Sequence, residues 1–154
     1  MRIYTLMLFL HLLGVVIWVG GMFLMHFAVR PTAVAVLEPP QRLPLLAGVL
    51  GRFFAWVVAA VLVVLASGLA MILGGGGFRG AHASVHWMFA IGLVMIAIFG
   101  YIRWVPYPAL RAAVAARQWP EAAARLDVIR KLVAVNLALG IATIAVATLG
   151  RAFL

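Results

Sequence analysis

The chain has 154 residues, 68% of them hydrophobic and only 10% charged, with no Cys and a mean hydropathy of +1.21. A water-soluble domain of this size cannot hide that much apolar surface, so a bilayer is the expected solvent. The formal net charge of +9 lies between apolar runs and builds no basic groove, which excludes nucleic acid as the expected partner, and the lack of Cys excludes disulfides and thiolate chemistry.

A helix needs about 20 apolar residues to cross the hydrocarbon core, and four stretches qualify. The first runs from about residue 3 to residue 28. It follows Arg2 as the apolar part of a signal peptide would, but it is too long for one and no A-x-A-like site follows, so a retained span is expected. Pro31, Pro39, Pro40 and Pro44 fill the first connection. The second span covers about 45–73 and ends in Gly74 to Gly77. The third covers about 83–104, and Pro106 and Pro108 open the longest connection. Ala109 to Arg117 and Pro120 to Lys131 are Ala/Arg-rich with helical spacing. Pro120 suits a first helical turn and Glu121 favours its positive end, so short interfacial helices or an extension of the fourth span are expected. The fourth span covers about 132–149. The predicted fold is all-α: an integral membrane four-helix bundle forming one transmembrane domain over residues 1–154, with short interfacial helices between spans three and four.

Charge asymmetry predicts the orientation. Arg30, Arg42, Arg52, Arg103, Arg111, Arg117, Arg125, Arg130 and Lys131 belong to one side, and Arg2, Arg79 and Arg151 to the other. The positive-inside rule puts the larger group in the cytoplasm and both termini outside, in a multi-pass protein of a bacterial-type inner membrane.

His11 and His86 are the polar residues that cost most in such a chain, and an ionisable group inside a span is a functional candidate. Spans one and three run in the same direction, and the two histidines differ in depth by about 6 Å, which tilt can absorb. Two imidazoles at similar depth on neighbouring helices suit the two axial positions of a b-type haem. Tyr4, His11, Gly14, Trp18, Gly21 and Met25 form one stripe on span one, and His86, Ala90, Leu93, Ala97 and Gly100 another on span three. Such small-residue stripes mark either a slot for a flat macrocycle or plain helix–helix contact. His82 lies one turn before His86, at the water boundary, as a solvated residue or a contact for a haem propionate. Asn136, with Gly140 and Thr143 on its face, would bond a haem edge, a quinone or a neighbouring helix. Ser67 and Gly68 suggest close packing, and Arg52 and Arg103 would snorkel to phosphates or hold an anion. His26 lies about 60° around the helix from His11, in a structural or headgroup role. Thioether with imidazole suits Cu(I), so Met7 beside His11 and Met25 beside His26 offer copper as the alternative metal.

The segment His11-Leu12-Leu13-Gly14-Val15-Val16-Ile17-Trp18-Val19-Gly20-Gly21-Met22-Phe23 resembles the first-span motif of the CopD-like (copper resistance D) membrane proteins. It is also similar to the HemJ-type protoporphyrinogen oxidases, which have a His, a Trp seven residues on and then Gly. Val85-His86-Trp87 resembles the later His-bearing helix of both, and Arg130 to Gly140 the closing CopD-like span. The CopD resemblance implies copper uptake across the inner membrane. The HemJ resemblance implies a b-type haem and electron transfer from a porphyrinogen, but those enzymes carry a Lys shortly after the later His, where this chain has Trp87 and Met88. The expected function is therefore a haem b redox protein ligated by His11 and His86, with Trp18 and Trp87 near the macrocycle. A quinone or another redox protein would exchange its electrons, and a homo-oligomer is open; a copper permease is the alternative.

Overall fold

A computed structural model describes residues 2–153, and the side chains of residues 3–150. The all-α expectation holds. With no water in the hydrocarbon region, each backbone N–H and C=O must be satisfied within its own segment, and helices do this for a chain so uniformly apolar. Helix α1 (Arg2–Val15) continues through a π-helical segment (Val16–Gly20), α2 (Gly21–Leu24), a second π segment (Met25–Val29) and α3 (Arg30–Val36). Then come α4 (Pro39–Gly74), α5 (Ala83–Trp104), α6 (Pro106–Ala115) and α7 (Trp119–Phe153). Four helical runs are long and apolar enough to span a membrane: Ile3–Val36, Pro39–Gly74, Ala83–Ala115 and Trp119–Gly150.

The helices outrun the predicted spans, most of all at the prolines. Pro39 and Pro40 sit in the first turn of α4, where a missing N–H costs nothing, so they start a helix instead of filling a loop. Pro31 follows the second π segment inside the continuous first run, and Pro44 lies inside α4, so neither belongs to a connection. Only Leu37 and Glu38 separate α3 from α4. Between spans three and four lies one short helix, α6, and the fourth helix begins at Trp119, so that connection contains both a short helix and an extended span.

Two turns end helices by the same device. At the end of α4, the Gly77 N–H donates to the Ile72 carbonyl at 2.9 Å, with Gly76 at φ +94°. Gly meets that left-handed geometry without a Cβ clash. After α6, the Gln118 N–H donates to the Ala113 carbonyl at 2.9 Å, but the left-handed residue is Arg117, at φ +55°.

The first span packs along the second, and the third along the fourth, with α6 laid against α7. Packing is uneven along the bundle. At the arginine-rich end, Phe54 meets Phe99 at 5.6 Å and Tyr107 at 5.1 Å, and Trp18 meets Phe99 edge-on at 6.4 Å. The Tyr107 hydroxyl donates to the Ala47 carbonyl at 3.2 Å, tying α6 to α4. The core continues through Met22, Leu50, Met95, Ile129 and Leu137. Toward the other end, which carries His11 and His86, no apolar side chain is buried among the described residues of 3–17, 62–74, 83–94 and 138–150.

Lipid tails are as apolar as a Phe ring, so burial here contributes contact and the avoidance of a void rather than release from water. Phe54, 2% exposed, is surrounded on all sides, whereas Trp56 is 65% exposed. Phe54→Ala should lower stability in detergent, measured by graded denaturation, by on the order of 2 kcal/mol, the cavity part of a large-to-small cost. Trp56→Ala should change it by much less.

Candidate functional site

His11 enters the seam between α1 and α4. Its Nδ1 lies 3.0 Å from the Val64 carbonyl oxygen and 3.2 Å from Ser67 Oγ. A carbonyl only accepts, so Nδ1 carries the proton and donates. Ser67 Oγ takes a share of that proton and passes its own to the Val63 carbonyl at 2.5 Å. Gly68 makes room: a Cβ there would stand 3.2 Å from His11 Cε1. With Nδ1 engaged, Nε2 is the unprotonated nitrogen, with its lone pair available to a metal. This is how ligating histidines are held, the second nitrogen fixing ring and tautomer from behind.

His86 repeats the pattern on α5. Its Nδ1 donates to the His82 carbonyl at 3.3 Å, one turn earlier, and its ring faces Phe78 at 5.9 Å. Its Nε2 is again free. His86 is exposed, where His11 is half-buried.

His82 differs. Its Nδ1 accepts from the Ser84 N–H at 3.3 Å and from the Ser84 hydroxyl at 3.0 Å, so its proton sits on Nε2. It caps the first turn of α5, the task more often given to Ser, Thr, Asp or Asn. Ser84 is buried beneath it.

The stripe on span one resolves into helix contact. Gly14 is buried where a Cβ would meet Val64 at 2.6 Å and the Ala60 carbonyl at 3.1 Å. It lets α1 approach α4, and so brings His11 to Val64, rather than clearing space for a macrocycle. Gly21 serves Phe53 in the same way. Trp18 belongs to the aromatic core, and Trp87 is 58% exposed at the histidine end. Asn136, 1% exposed at mid-depth, donates from Nδ2 to the Met95 carbonyl at 3.3 Å and joins spans three and four; its Oδ1 is buried without a partner among the described residues. Gly140 on the same face packs against Val19 and Met95.

Of the residues that offered copper chemistry, Met7 is half-exposed on α1. Met25 is buried, and it lines a crevice at the arginine-rich end together with His26, Arg30 and Arg130. Among the described residues, no group of three or more His, Asp or Glu is placed to hold a metal ion by itself.

Sequence reasoning took Ser67 and Gly68 as packing residues and missed that they form the back wall of His11. The signal was their spacing from Val64, three and four residues on, which puts them one helical turn along the same face. The paired tautomers follow from these contacts. In the neutral forms, 15N NMR of the purified protein should find His11 and His86 protonated at Nδ1, and His82 at Nε2. A Nε2-protonated His11 would contradict the assignment.

Residues 47–149, more than half of the chain, match the family model described as CopD, copper resistance protein D. The match covers most of the second span, the third and most of the fourth, and so includes Ser67, His86 and Asn136; His11 lies before it. No curated protein and no solved structure matches the chain.

Proposed function

The chain belongs to the copper resistance protein D (CopD) family of multi-span membrane proteins, and from that starting point we propose that it is a membrane redox protein holding haem b between His11 and His86. The observation that carries the reading is the pair of tautomers. Two histidines at the same end of parallel spans each give Nδ1–H to a backbone carbonyl and keep Nε2 for a metal.

The packing supports it. α1 packs along α4 and α5 along α7, and α1 and α5 form no extensive seam with each other. Together with the lack of buried apolar side chains at this end, that leaves the histidine end for a flat apolar group to complete. Haem b, when bound, supplies reversible one-electron transfer. The chain's own residues do the rest. Val64 and Ser67 orient His11, Gly68 admits it, and the His82 carbonyl orients His86. Hydrogen bonds to Nδ1–H make each imidazole a stronger donor and so favour the oxidised iron. The bundle core, which begins at Trp18, closes the site off from the arginine-rich end. The positive-inside rule puts the histidine end on the outer face of a bacterial-type inner membrane, where a quinone or a second redox protein would exchange electrons.

Copper is the second reading, favoured by the family's description and by Met25 and His26 in one crevice. Arg30 and Arg130 share that crevice, and two guanidinium groups repel a metal cation, which sets this reading behind the first.

Protein purified from haem-replete cells should be coloured, with a Soret band and sharp α and β bands on reduction. His11→Ala and His86→Ala should each lose most of the pigment. A colourless preparation that carries copper, and loses it on Met25→Leu, would replace haem with the second reading.

A further inference from the structure

The crevice at the arginine-rich end has a chemistry of its own. It lies where the first, second and fourth spans meet, with Arg30, Arg130 and His26 around it and Leu46, Leu50 and Leu126 forming much of its wall. Arg30 sits in the electrostatic field of Arg130, Arg42 and Asp127, two cations against one anion. Asp127 is already engaged. Its Oδ1 accepts from Arg130 Nε at 2.9 Å and Nη2 at 2.6 Å, and its Oδ2 pairs with Lys131 at 2.9 Å. Among the described residues Arg30 makes no ion pair. A half-buried guanidinium in the field of a second one, without a carboxylate of its own, gains from an anion that both can reach.

We propose that this crevice binds a phosphoryl group, presented by an acidic phospholipid. Guanidinium groups match phosphate oxygens in a planar, bidentate way, and Arg30 and Arg130 lie on different helices and so can bracket one phosphate. His26 adds a third donor from the second π segment. The crevice's place at one end of the spanning helices distinguishes a lipid from free phosphate: a headgroup held there leaves its tails in the surrounding hydrocarbon, which inorganic phosphate cannot use. The proposal is independent of what His11 and His86 hold, because the two sites lie at opposite ends of the bundle.

The full chain, purified in neutral detergent, tests it by thermal unfolding with added lipid. Dioleoyl-phosphatidylglycerol should raise the melting midpoint, and dioleoyl-phosphatidylcholine should not. Arg30→Gln should weaken the phosphatidylglycerol response by about tenfold in half-saturating concentration, as expected for the loss of one charge-assisted contact. Arg30→Lys, which keeps the charge and tests against simple misfolding, should retain part of the response. Arg111→Gln, a surface cation elsewhere at the same end, should leave it intact. An equal response in Arg30→Gln and the unaltered chain would overturn the site, as would equal responses to the two lipids. Inorganic phosphate alone reproducing the full shift would overturn the lipid as its source.

Discussion

Hydrocarbon offers no hydrogen bonds, and nearly every feature of this protein follows from that. The backbone meets the constraint by folding into four helical runs with short connections. Side chains meet it one at a time. Ser67 and Thr143 return their hydroxyls to carbonyls of their own helices. Asn136 reaches across to Met95. His11 turns one nitrogen to Val64 and Ser67. In water such bonds would compete with solvent and contribute little. Here they decide which way each polar group points, and so which atom of His11 remains for chemistry.

The same solvent explains the uneven bundle. Helices in lipid gain little from burying apolar surface, so they pack tightly only where shapes interlock. The aromatic set of Trp18, Phe54, Phe99 and Tyr107 interlocks at one end. At the other end, α1 still closes on α4 through Gly14, but the third and fourth spans bring only half-buried apolar side chains, such as Ile91 and Leu139, against the core. The aromatic half holds the buried core, and in the other half the apolar side chains of the described residues stay at most half-buried.

The number and order of the spans could be read from composition and length, because about 20 apolar residues have few other uses. His11 and His86 stood out for their cost. Other features lay beyond the sequence for physical reasons. The prolines marked helix starts and loop interiors equally well until the chain's path chose between them. The two π segments have ordinary α-helical dihedrals at their caps and no residue signature. The Gly14 stripe defined a face but not the neighbour, which proved to be α4. Protonation of a histidine depends on the carbonyl it meets 53 residues away, as His11 meets Val64, and no local pattern carries that. Arg117 occupies a left-handed position usually given to Gly, and composition gave no warning of it.

The central claim is that His11 and His86 share one iron through their free Nε2 atoms. Electron paramagnetic resonance of the oxidised, purified protein tests it most directly, because two imidazoles hold ferric haem in the low-spin state. The account expects a low-spin signal in the unaltered chain, converted to high spin or lost in either His11→Ala or His86→Ala. A low-spin signal that survives both substitutions unchanged, or the absence of any haem signal from haem-replete cells, would contradict it.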